Sequence, residues 1–145
     1  MRTDLPAAPA KKLAVIACMD ARLDPARILG LEVGDAHVIR NAGGVVTDDE
    51  IRSLAISQHL LGTEEIVLIH HTDCGMLTIS DEEFAQRLED DTGERPHWRA
   101  HAFADLEENV RNSVRLIQES PFVPRTDSVR GFVYDVKTGE LREVA

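Results

Sequence analysis

Three short strand-like stretches, at residues 12–17, 36–40 and 65–70, alternate with segments of helical pattern, and each ends on residues able to do chemistry. The first and third are nearly continuous apolar runs, as expected of strands buried on both faces. Strand, helix, strand, helix, strand in that order predicts an α/β fold: a mostly parallel central sheet with helices on both faces. Right-handed crossovers then place all three strand ends on one edge, where chemistry collects in such sheets. Cys18, Asn41 and His71 stand at those ends.

The connecting segments carry their own signals. Asp24-Pro25 fits the cap and first position of a short helix, which Gly30 and Gly34 limit to a turn or two. Residues 48–61 form the clearest helix. Thr47 can cap it, Asp48, Asp49 and Glu50 load its first turn with favourable negative charge, and Gly62 follows as a stop. Residues 81–88, opened by Ser80 with Glu83 at capping-box distance, and residues 103–118 read as two more helices. Residues 129–136 and 140–144, joined by Lys137-Thr138-Gly139, read as a strand with a hairpin return at a sheet edge. Residues 1–11 read as an irregular N-terminal arm, and no boundary divides residues 1–145, which predicts a single domain.

A formal charge of −10 argues against nucleic acid and anionic membranes as partners, since both would repel the chain. No run reaches the roughly 20 apolar residues of a membrane helix, and the N-terminal residues lack the apolar core of a secretory signal. A cytoplasmic location is therefore expected, where a structural disulfide is disfavoured. With only 4% aromatic residues, aliphatic side chains must build most of the core.

The two cysteines of the chain occur in Cys18-Met19-Asp20-Ala21-Arg22 and His71-Thr72-Asp73-Cys74-Gly75, each directly after a predicted strand. They could pair, but their company at strand ends favours a metal. Two thiolates and one imidazole form a three-ligand zinc set with a fourth position open, the arrangement of catalytic rather than structural zinc. Arg22 has the fork geometry to hold Asp20 as a carboxylate, although the same pair could be a plain surface ion pair. Gly43 and Gly44 could let backbone approach a small ligand, or simply serve a turn. Asp73 could accept a hydrogen bond beside the site, or be a solvated turn residue. His70 should point away from His71, across the strand, as a packed or interface residue. His37, His59, His97 and His101 could carry protons, or lie on the surface.

Taken together, Cys18/Asp20/Arg22 after the first strand, Arg40-Asn41-Ala42-Gly43 after the second and His71/Cys74 after the third resemble the β-class carbonic anhydrases. The similarity is to the short bacterial and archaeal members, including mycobacterial ones, and extends from about Lys12 to the C-terminal strand. The resemblance implies reversible hydration of carbon dioxide to bicarbonate and a proton by hydroxide at a zinc ion, one per chain. It implies Cys18, His71 and Cys74 as zinc ligands, and Asp20 and Arg22 as a catalytic dyad. Asp20 is also a possible fourth ligand that would close the site. Asn41, Ala42, Gly43 and Gly44 are expected to bind substrate. A homodimer or homotetramer is implied as well. The pocket is expected to be lined by aliphatic residues and backbone. Two alternatives stay open: a hydrolase of carbonyl sulfide or carbon disulfide using the same zinc site, and a zinc-binding protein without turnover.

Overall fold

The computed structural model describes residues 4–145. Five strands form one sheet in the order β2-β1-β3-β4-β5: β1 (Leu13–Cys18), β2 (Ala36–Asn41), β3 (Glu65–His71), β4 (Ser128–Tyr134) and β5 (Leu141–Glu143). The first four are parallel, and β5 returns antiparallel along β4. Among the described residues four α-helices connect them: α1 (Pro25–Leu29), α2 (Asp48–Leu61), α3 (Asp81–Thr92) and α4 (Leu106–Glu119). The expected α/β class, mostly parallel sheet and C-terminal edge hairpin are all present. The arm expected over residues 1–11 has neither helix nor strand in its described part, and residues 1–3 lie outside the described residues.

Alternation along the central strands builds two cores. Ala14 and Ile16 of β1 and Ile66 and Leu68 of β3 pack with Leu54 of α2 and with Val114 and Ile117 of α4. Val15 and Ala17 face the other way and pack with Ile69, Leu23 and the α1 residues Ile28 and Leu29. Register aligns the carboxyl ends: Cys18 lies opposite Asn41, and Ala17 opposite both Arg40 and Ile69. Two side-chain-dense loops therefore leave the sheet at one edge.

The helix bounds show which local signals dominate. α2 begins and ends as its cap residues predict, with the Thr47–Glu50 capping box closed and Gly62 in the left-handed conformation at φ 76°. α3 runs past residue 88 to Thr92, because its last turn is polar and exposed and Gly93 supplies the stop. α4 starts at Leu106 under an Asp105 cap, so Phe103 belongs to the preceding loop. β4 ends at Tyr134, since the Asp135 carboxylate accepts from the Lys137 and Thr138 N–H groups at 2.8 and 3.1 Å and turns the chain.

Candidate metal centre

The Sγ atoms of Cys18 and Cys74 and a ring nitrogen of His71 lie within 4.8 Å of one another, and all three residues are buried. β1 delivers Cys18 as its last residue, β3 delivers His71 as its last, and the turn after β3 brings Cys74 back to them. His71 Nδ1 lies 2.7 Å from the Thr72 carbonyl, which can only accept, so this nitrogen carries the proton. Nε2 is then left with a lone pair, buried and without a hydrogen-bond partner among the described residues. An unpaired buried nitrogen is costly, and a metal ion would satisfy it. The donor set suits zinc, which takes thiolate and imidazole ligands without redox chemistry.

In the absence of metal, the two sulfurs share a proton unequally. The Cys74 thiol beside Cys18 is the largest influence, and it lowers the Cys18 pKa to about 4 against the opposing effect of burial. Cys74 is raised correspondingly by the Cys18 sulfur and by burial. Gly43 N–H also donates to Cys18 Sγ at 3.3 Å. For His71, burial is the largest influence and lowers its pKa, but Cys18, the Thr72 carbonyl and Asp20 together raise it overall.

Asp20 stands beside this cluster, with Oδ2 3.7 Å from His71 Nε2. Arg22 grips it with both nitrogens of one guanidinium edge: Nε to Oδ1 at 3.0 Å and Nη2 to Oδ2 at 2.8 Å. The Arg22 backbone N–H adds a third bond to Oδ1 at 2.8 Å. These hydrogen bonds hold Asp20 well below the usual carboxylate range, with the nearby His71 reinforcing them. The loop itself is pinned by Arg40, whose guanidinium donates to the carbonyls of Cys18, Asp20 and Leu23 at 2.8–3.1 Å.

The second-strand motif divides by role. Asn41 closes its own loop, its amide bonding Val45 O at 2.8 Å and Val45 N at 3.0 Å. Gly44 has φ 66°, and a Cβ there would come 2.9 Å from Cys18 N and 3.2 Å from Ile69 O, both backbone atoms that cannot yield. Turn and close approach thus both require glycine at this position. Asn41 and Ala42 line a cavity of about 500 Å³ with Val45, Met76, Phe84 and Trp98, whereas Gly44 lies against the ligand-bearing strands and Gly43, whose N–H holds Cys18 Sγ, packs under Met76, Phe103 and Val45. The cavity is more aromatic than expected. The segment before α4 folds back, with Phe103 N–H bonding Met76 O at 3.2 Å and Ala102 N–H bonding Asp81 at 2.8 Å, and this brings Trp98 to the wall.

The profile of the carbonic anhydrase family matches residues 13–141. The chain is also 60% identical over 140 residues to beta-carbonic anhydrase 1 of Mycobacterium tuberculosis, covering 97% of this chain and 86% of the relative. The chain belongs to the β-carbonic anhydrase family. A crystallised carbonic anhydrase of Streptococcus mutans matches the fold with a TM-score of 0.94 at 46% identity, over 100% of this chain and 88% of that one. A carbon disulfide hydrolase of Acidithiobacillus thiooxidans is 35% identical over 153 residues, covering 91% of this chain and 76% of the relative.

Within this β-carbonic anhydrase fold, the residues singled out in the sequence converge at one sheet edge, except that the glycines serve the backbone. His70 points away from His71 as alternation requires: it is buried against α4, with Nε2 2.7 Å from Asn109 Oδ1 and its ring 5.5 Å from that of Phe103. His37 is held by Ser57 Oγ and the Ala7 carbonyl, and His59 by the Phe122 carbonyl, whereas His101 lines the cavity. Arg40 stands within a sequence motif that gives it no task of its own. Its chemistry is a matter of three carbonyls 17–22 residues away, which no local pattern announces.

Proposed function

We propose that the chain catalyses the reversible hydration of carbon dioxide to bicarbonate and a proton, with one zinc ion held by Cys18, His71 and Cys74. The observation that carries this reading is the unpaired, buried His71 Nε2 facing two cysteines beside an Arg22-held carboxylate. When bound, zinc supplies the Lewis acidity that makes water a competent nucleophile at neutral pH. Arg22 keeps Asp20 ionised, so Asp20 can only accept hydrogen bonds. It orients a nucleophile that retains a proton and disfavours ligands that have none to donate. That both Asp20 oxygens are bonded to Arg22 supports Asp20 as an orienting group rather than as the fourth ligand.

Carbon dioxide is small, linear and apolar, and the cavity wall of Ala42, Val45 and Met76 offers it no competing hydrogen bonds. Asn41, with its amide committed to Val45, shapes this space together with Ala42, and beside them the Gly43 N–H reaches Cys18 Sγ. The reading includes a homodimer or homotetramer in the cytoplasm, where two free buried cysteines suit a reducing medium. A stopped-flow indicator assay on zinc-loaded protein should show hydration that rises from pH 7 to 9. Absence of turnover across that range would sink the proposal. The likeness to a carbon disulfide hydrolase supports a second reading, cleavage of carbon disulfide. Headspace H₂S release exceeding carbon dioxide turnover would favour it.

A further inference from the structure

Asp73 lies between His71 and Cys74 with φ 56°, a left-handed conformation for a residue other than glycine. That conformation is unfavourable for an L residue, and Asp and Asn tolerate it best. Both acceptors of Asp73 meet one partner: Oδ2 lies 3.0 Å from Arg22 Nη1, and the carbonyl oxygen 3.0 Å from Arg22 Nη2. The other edge of the same guanidinium, Nε and Nη2, holds Asp20. Arg22 is thus clamped between two aspartates, one on each loop that carries zinc-ligand candidates. Because the guanidinium is rigid and planar, holding one edge sets the direction of the other.

The Asp73 side chain is 73% exposed, so its ion pair with Arg22 contributes little to stability. A strained residue that adds little stability suggests a functional reason for keeping it. We propose that Asp73 is a positioning residue: it fixes Arg22 from the loop after β3, and Arg22 in turn aims Asp20 at the three ligand atoms. This rests on the reading above, in which Asp20 acts beside the metal.

Asp73→Gly separates positioning from structure, because glycine accepts the left-handed turn while removing the carboxylate. The Arg22 Nε–H signal of ¹⁵N-labelled full-length protein, assigned by its loss in Arg22→Lys, reports the clamp with or without zinc. In Asp73→Gly, solvent exchange of that N–H should accelerate about tenfold, while the melting temperature stays level or rises. Zinc content should stay at one per chain, and kcat/KM for hydration should fall about 3–10-fold. Asp73→Asn keeps an acceptor oxygen and the turn, and should recover to within about twofold of the original enzyme. In an Asp20→Asn background, Asp73→Gly should cause no further loss.

An unmoved Arg22 signal, or full kcat/KM in Asp73→Gly, overturns the proposal. So does a loss that follows falling zinc content or melting temperature, or one that persists undiminished in the Asp20→Asn background. If the unaltered protein hydrates no carbon dioxide, the functional reading fails separately, and the Arg22 signal still decides whether Asp73 holds the guanidinium.

Discussion

The two walls of the candidate site are built on opposite principles. The loop from Cys18 to Leu23 is dense with polar ties to its own backbone and carboxylate: Asp20 and Arg22 pair across two residues, and Arg40 gathers three of the loop's carbonyls. The facing wall, residues 94–105, is laid along α3 and the turn before it. Phe103 bonds the Met76 carbonyl, Ala102 bonds Asp81, and Trp98 packs near Phe84 at a ring separation of 6.4 Å while remaining half exposed. The first wall fixes charge and direction to within a hydrogen bond. The second supplies apolar volume, which needs no such register. Substitutions in the first should therefore damage both stability and chemistry, and substitutions in the second mainly local order.

The sharpest break is Cys18→Ser. The variant should lose zinc and fall by more than about 100-fold in hydration rate, with a lower melting temperature, because binding to a folded site contributes folding free energy. Metal analysis and a thermal melt check it, and retained zinc at unchanged stability would remove Cys18 from the ligand set. Next comes Gly44→Ala, which tests backbone rather than chemistry. A Cβ 2.9 Å from Cys18 N, at a positive φ, should cost about 2–4 kcal/mol in denaturant unfolding. A smaller effect is expected of Arg40→Gln, which strips the charged donors from three carbonyls. Stability should drop by about 1–2 kcal/mol, and hydration should weaken as the Asp20 loop loosens. An Arg40→Gln variant of unchanged stability and rate would mean that Arg22 alone holds the loop.

The same contrast explains what could be read from the residues. Strands β1 and β3 announced themselves because burial on both faces makes their middles continuous apolar runs, and α2 did so because Thr47, Glu50 and Gly62 are a complete set of end signals. The ligand cluster was legible since parallel strands must end on one edge, and the opposed directions of His70 and His71 followed from a period of two. The facing wall was not legible. Phe103 sits within a helical pattern, and only the Asp105 cap and a bond to Met76 take it out of the helix. Asp73 reads equally as an acceptor beside the site or as a solvated turn residue, because its link to Arg22 spans 51 positions.

The weakest expected effect belongs to the facing wall and has a pH signature. Asp81 opens α3 and reaches across to residues 99–102, accepting from Ala102 N–H at 2.8 Å and from Arg99 at 3.2 Å. The Ala102 bond is the chief cause that lowers its pKa from the ordinary 3.8, with Arg99 and, least, His101 assisting against burial. A carboxylate lowered on folding stabilises fully above its unfolded value, and that contribution fades as pH falls below 3.8. Asp81→Asn keeps an acceptor for Ala102 but loses the charge, both for Arg99 and at the helix N-terminus. It should cost about 1 kcal/mol at pH 7, measured by urea unfolding of the metal-free protein. The difference from the unaltered protein should hold down to about pH 4 and shrink below it. A difference that stayed constant through acid would show that the tie is a neutral hydrogen bond. In that case the charge of Asp81 does nothing to hold the wall, and this contact would be a matter of shape.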